Sequence, residues 1–198
     1  LTQALAAQLG GLWVPEYLRE FTAQQGRPPE RGEQLHVLQE QVRLEVAAVV
    51  AARQQGRALV FCDTAPLLTA IYSECVFGDA SLYPQAHGLH ARYALTLLLE
   101  PDIAWVPDGV QRDGVPMRAA VHARIERALA EWAWPHVRIA GTGEARLQTV
   151  PRRINPAAAC TAPTCQDVDY PLSSCTCHNC ILLSSVPAPS LMGLSVEN

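Results

Sequence analysis

The sequence has no run of apolar residues approaching the roughly 18 needed to cross a bilayer. Its opening, LTQALAAQLG, has neither the basic start nor the cleavage pattern of a secretory signal. A cytoplasmic protein without a membrane partner is the expectation. Positive charge is also scarce and scattered: 15 basic residues are outnumbered by 19 acidic ones, for a net charge of −4 and a pI near 5.8. Such a chain offers no basic face, so nucleic acid is not an expected partner. Cysteine is almost missing from the first 150 positions, where Cys62 and Cys75 stand alone, and the odd total of seven does not support a disulfide framework. No internal repeat is present. The 198 residues suit one hydrophobic core with a small appendage, since domains usually hold roughly 100–200 residues.

What is present is a regular alternation of apolar strands and amphipathic helices over the first three quarters of the chain. Leu1–Leu9 reads as a helix, broken by Gly10 and Gly11, and Leu12–Val14 as a short strand ending at Pro15. From Glu33 to about Gln55 apolar residues recur at Leu35, Leu38, Val42, Val46 and Val49, a spacing that predicts one buried helical face, with Gly56 as its stop. Arg57–Asp63 is an apolar run ending in an acid, as expected of a strand buried on both faces of a parallel sheet. Helices are predicted over 66–76, 84–92 and 117–133, the last with Val121, Ile125, Leu129 and Trp132 on one face, and strands over Leu95–Leu99 and His136–Ala140. Glu100–Pro116 holds three prolines and two glycines and reads as a mobile loop. Alternation of this kind predicts an α/β parallel sheet whose ligands bind at the carboxyl ends of the strands.

Four segments carry the candidate chemistry: WVPEYLREF at 13–21, VFCDT at 60–64, LLLEPDIAWVPDGVQRDG at 97–114 and GTGEARL at 141–147. In this order, with a helix placed to follow a glycine-rich turn, they resemble the ribosylnicotinamide kinase domain of NadR-type proteins and related P-loop AAA ATPases, over about residues 1–147. The resemblance implies a P-loop NTPase fold of the nucleoside or nucleotide kinase kind, with ATP and Mg2+ as cofactors. It also implies transfer of a phosphoryl group to a small hydroxylated substrate such as nicotinamide riboside, in NAD biosynthesis. Phosphoryl transfer is catalysed largely by positioning and charge neutralisation, so carboxylates and arginines should converge on the site. Asp63, at the end of a buried strand, is placed to hold magnesium through water or to accept the proton of an acceptor hydroxyl. The stretch Asp63-Thr-Ala-Pro66 equally reads as a capped helix start.

By the same resemblance Glu16, Tyr17, Arg19 and Glu20 belong to the acceptor site, where carboxylates accept hydrogen bonds from ribose hydroxyls. The alternative is a solvated helix start with acids near its dipole. Trp105 offers an aromatic face to a cationic pyridinium ring, or else anchors its loop. Asp108, Arg112 and Arg118 read as lid residues whose arginines close over phosphates, or as solvated charges. Gly141, Thr142 and Gly143 resemble the late loop bordering the adenine base. His87 and His90 read as a surface pair on a helix, and Cys62 and Cys75 as buried apolar residues.

The sequence contains no GxxxxGK[ST]. In the family that loop supplies backbone N–H groups and a lysine for the triphosphate and a hydroxyl for magnesium. The expectation is therefore a partial domain over 1–149, with its first strand and P-loop missing, inactive by itself and belonging to a longer reading frame. The alternatives are a nucleotide-binding regulatory ATPase and a non-catalytic binding module. From about residue 150 periodicity gives way to a stretch rich in Ser, Pro, Ala and Cys. That stretch reads as a disordered extension or an aberrant reading frame. A four-cysteine zinc site from Cys160, Cys165, Cys177 and Cys180, with Cys175 and His178 to spare, is the other reading.

Overall fold

The structure is a computed structural model that describes residues 1–104, 114–150 and 180–184. In chain order it forms α1 (Thr2–Leu9), β1 (Leu12–Val14), α2 (Tyr17–Gln25), a 3-10 turn (Arg31–Glu33), α3 (Gln34–Gln54), β2 (Val60–Cys62), α4 (Pro66–Phe77), α5 (Tyr83–His90), β3 (Tyr93–Leu99), α6 (Gly114–Glu131), β4 (His136–Ile139), α7 (Gly143–Thr149) and β5 (Cys180–Ser184). Five strands make one sheet in the order β1-β2-β5-β3-β4. Every neighbouring pair is parallel. None of the helices among the described residues is long and apolar enough to cross a membrane.

Local chemistry explains the element boundaries. Arg27 and the backbone N–H of Glu30 both donate to the Glu33 carboxylate, at 2.6 and 2.7 Å, closing the turn that launches α3. Pro66 opens α4, where its missing N–H costs nothing, and forces Ala65 before it into extended backbone at φ −131°, ψ 158°. Gly10 ends α1 in the left-handed region at φ 70°. The helix after the Pro/Gly-rich loop starts at Gly114 rather than 117, because Pro116 is tolerated in a first helical turn.

Successive residues of a strand face opposite sides, and here both sides are covered. Val60 and Cys62 point with Val14, Tyr93 and Leu98 into a core closed by Leu67, Leu68 and Ile71 of α4 and Val121, Ile125 and Leu129 of α6. Phe61 and Leu97 point the other way, with Ile139, into a second core closed by Leu5 and Ala6 of α1 and Val150. The predicted face of α6 is thus confirmed at its three aliphatic positions. The predicted face of α3 is not. Leu38 and Val42 are buried, but Leu35 and Val46 are exposed, and the buried stripe also takes in Gln34, Gln41 and Glu45. The helix is turned so that a polar pair, not Val46, faces the domain.

One further expectation is corrected. His90 is not a surface residue: it is 1 % exposed, bonds through Nε2 to Thr96 Oγ1 at 2.9 Å, and stacks on Trp134 at a centroid distance of 4.0 Å. Burial pushes its pKa down to about 3, so it stays neutral. Cys180–Ser184 pair along β2 and β3 in the middle of the sheet. Cys62 is buried and Cys75 only half-buried. Cys160, Cys165, Cys175, Cys177 and His178 lie outside the described residues.

Gly11 marks the tightest approach between α1 and the sheet. A Cβ there would lie 2.8 Å from Phe61 Cε2 and 2.9 Å from the Leu59 carbonyl oxygen, and the carbonyl belongs to backbone that cannot swing aside. Gly11→Ala is expected to destabilise the protein by about 1–3 kcal/mol, read from the urea midpoint at unchanged m-value.

Candidate functional site

The carboxyl ends of β1 and β2 bring together residues far apart in sequence. The Asp63 N–H donates to the Val14 carbonyl at 3.0 Å, so the turn after β2 is tied to the end of β1. From that turn the Asp63 carboxylate accepts a hydrogen bond at 2.7 Å from the hydroxyl of Thr2, which is itself buried at the head of α1. Asp63 therefore does not cap α4. The N-cap position is Ala65, and the carboxylate faces α1. The loop after β1 carries Glu16, only 5 % exposed, with Arg19 Nε 2.9 Å from its Oε2. Burial is the largest influence on Glu16 and raises its pKa from 4.5 to about 7. The Arg19 charge opposes that rise and the Asp63 charge adds to it.

A cleft adjoins these groups, lined by Glu16, Leu18, Gln34, Gln41, Thr64 and Tyr72 among others. It encloses about 20 Å³, room for a single water molecule. Its polar floor continues inward as a network that sequence reasoning missed. Gln41 Oε1 accepts from the Tyr17 N–H at 2.8 Å, and Gln41 Nε2 donates to Glu45 Oε1 at 3.2 Å. Glu45 Oε2 accepts from Arg92 Nη2 at 3.0 Å and from the Tyr93 hydroxyl at 2.7 Å. Burial raises the pKa of Glu45, against the lowering effect of Arg92 and the hydrogen bonds. The only sequence signal was Gln41 and Glu45 four apart, at positions where the apolar period passes through a helix.

The remaining predicted residues are not all gathered there. Tyr17 turns its hydroxyl toward His36 Nε2 at 3.3 Å, and Glu20 is exposed and accepts from Gln24 Nε2 at 3.0 Å. Gly141, Thr142 and Gly143 follow β4, in the other half of the sheet. Gly141 takes φ 94° and its N–H donates to Asp102 Oδ2 at 2.6 Å. Buried Arg146 holds that turn, pairing with Asp102 and donating to the Glu100 carbonyl at 2.9 Å. Arg118 of α6 donates to the Ile103 carbonyl at 2.5 Å. Trp105, Asp108 and Arg112 lie outside the described residues.

The carboxyl ends of both halves of the sheet thus carry polar turns in a parallel α/β domain, where such domains place nucleotides and their substrates. Residues 1–146 match the family model of the AAA domain. The chain belongs to the AAA domain family. The family is one of P-loop nucleotide-binding domains, and the match runs from α1 into α7 without reaching β5. No curated protein and no solved structure matches the chain.

The Asp63 carboxylate is tied to the Thr2 hydroxyl, inside the first turn of α1. Among the described residues no cluster of three or more His, Cys, Asp or Glu side chains holds a metal by itself. The triphosphate is not matched here either. All 15 basic residues of the sequence are arginine, so the 198 residues contain no lysine for its phosphates.

Glu16 makes the domain's stability depend on pH. Its folded pKa lies above the unfolded value, so the folded state binds the extra proton between about pH 4.5 and 7. The stabilisation is complete below that window and is lost as pH rises through it, by about 3 kcal/mol in all. Glu16→Gln is expected to flatten this part of the curve, checked by urea midpoints at about pH 5 and pH 8.

Proposed function

We propose that this AAA domain serves an ATP-dependent phosphotransferase acting on a small hydroxylated substrate, with nicotinamide riboside as the expected acceptor. The reading rests on one observation above all: Asp63, hydrogen-bonded to Thr2 at the head of α1, stands beside buried Glu16, which pairs with the exposed Arg19. A kinase needs an acid near the phosphates and polar groups that orient the acceptor hydroxyl, and these residues meet both needs.

In this reading Asp63 is the proton acceptor or the partner of a magnesium-bound water. Glu16 orients the acceptor. Near neutral pH its carboxyl exists in both protonation states, so it can donate to or accept from a ribose hydroxyl. Arg19 fixes its direction, and Tyr17 and Glu20 complete the acceptor side. Trp105, Asp108, Arg112 and Arg118 are read as substrate and lid residues, and Gly141, Thr142 and Gly143 as the border of the base. ATP with Mg2+ would supply the phosphoryl group. The reading requires a glycine-rich loop with its lysine ahead of α1, since the 198 residues hold neither. It also requires the cleft beside Glu16 to widen, because a riboside does not fit in about 20 Å³.

The narrow cleft favours a second reading, a regulatory ATPase or binding module in which the Glu16 loop contacts a partner. ADP formation from Mg-ATP, followed with and without nicotinamide riboside in a protein carrying that loop, separates the two. A kinase gives acceptor-dependent ADP, and Asp63→Asn lowers it by about 100-fold or more while leaving the fold intact by circular dichroism. ADP formation indifferent to the acceptor assigns the domain to the second class.

A further inference from the structure

The loop that carries Glu16 is short and held at both ends. Only Pro15 and Glu16 separate the end of β1 from the start of α2. On the strand side the Val14 carbonyl accepts from the Asp63 N–H at 3.0 Å, and the ring of Pro15 fixes its own φ. On the helix side the first N–H groups of α2 have no intrahelical partner, and Glu16 at the N-cap position makes no side-chain cap bond. Its carboxylate is turned to Arg19 instead. The Tyr17 N–H is met from another element, by Gln41 Oε1 of α3 at 2.8 Å. Little else fastens this helix, since Phe21 is its single buried residue and its principal contacts are with α3.

Gln41 makes this bond from the interior, at 1 % exposure. A side-chain amide can be turned either way, and the wrong way would set its NH2 against the Tyr17 N–H, donor against donor. Glu45, one turn further along α3, removes that freedom. Its Oε1 accepts from Gln41 Nε2 at 3.2 Å, while its Oε2 accepts from Arg92 Nη2 at 3.0 Å and from the Tyr93 hydroxyl at 2.7 Å. With three donors converging on it, the carboxylate faces Gln41 as an acceptor and takes its NH2, which leaves the amide oxygen for Tyr17. Arg92 and Tyr93 stand at the start of β3, so the orientation of the amide is anchored in the sheet.

We propose that Gln41 is the positioning residue of the Glu16 loop, and that Glu45 fixes its amide in the one orientation that can do this. The relay from Arg92 and Tyr93 through Glu45 and Gln41 to Tyr17 sets where α2 begins. It thereby sets where the Glu16 carboxyl lies in the cleft that both residues line. The consequence for an acceptor substrate rests on the kinase reading, whereas the relay itself does not.

The test uses the full 198-residue chain and reads amide hydrogen exchange at Tyr17. In the parent this N–H is expected to exchange at least about 100-fold more slowly than in an unfolded chain, although it opens a helix. Gln41→Met keeps an unbranched side chain of similar length and removes the acceptor. It is expected to speed exchange at Tyr17 at least about tenfold more than at the amides of α3 and β2. Gln41→Glu combined with Glu45→Gln exchanges amide and carboxylate and keeps an acceptor for Tyr17, Arg92 and Tyr93. This double variant is expected to return Tyr17 to within about threefold of the parent. A uniform rise across the domain in Gln41→Met, or a double variant no better than Gln41→Met, makes Gln41 a packing residue and overturns the proposal. Unfolded-chain exchange at Tyr17 in the parent overturns it without any variant, and decides the matter if the variants do not fold. In a protein that carries the glycine-rich loop, Gln41→Met is expected to raise the KM of nicotinamide riboside about tenfold and to leave that of ATP within about twofold. An unchanged acceptor KM overturns the positioning role. ADP formation indifferent to the acceptor in the parent counts against the kinase reading alone, and Tyr17 exchange then decides the relay.

Discussion

The structure depends on the requirement that two buried strand edges be satisfied at once. A parallel sheet covered by helices on both faces has no solvent route to its backbone, so every central edge must find a partner strand. β2 and β3 meet that requirement through β5 alone among the described residues. The two apolar cores lie on either side of this sheet, one under α4 and α6 and the other under α1. Their packing presupposes that the strands between them form one continuous layer.

That layer also places the polar groups. A residue that ends a parallel strand is released at the carboxyl edge, and Asp63 and the Val14–Glu16 turn emerge there side by side. The head of α1 comes to the same edge, so the hydroxyl of Thr2 reaches a carboxylate sixty-one residues away. Below the edge, Gln41 and Glu45 carry polarity into the interior, where Arg92 and Tyr93 saturate the buried carboxylate. A buried acid without such partners would be far costlier than any gain from packing an aliphatic side chain in its place. The pair explains why α3 turns Val46 outward.

Membership of the AAA domain family accounts for the parallel α/β plan. It leaves the chemistry to the residues themselves, since one fold supports many functions. On that ground the neighbourhood of Asp63, Thr2, Glu16 and Arg19 is a better guide than the family to what the site handles. Its charges are few and its groups are bonded to one another.

Much of the fold was legible in the sequence. Short apolar runs that end in Asp63 or are followed by Gly141, and helices with apolar residues three and four apart, are local patterns that need no distant partner to be read. The face of α6 and the break at Gly10 belong to this class. So does the choice of Glu16 and Asp63 as candidates, because acids at strand ends are visible from the run that precedes them. Three things were decided only by tertiary structure. The rotation of α3 depends on Arg92 and Tyr93, which meet Glu45 across the domain. The burial of His90 depends on Thr96 and on Trp134, beyond β3 and α6. The place of Cys180–Ser184 depends on β2 and β3, two strands that do not pair with each other. The sequence by itself determines which segments can be strands and helices, through side-chain period and turn chemistry. Which strand fills the centre of the sheet is a matter of long-range backbone pairing, and a five-residue apolar run carries no local signal of where it will pair.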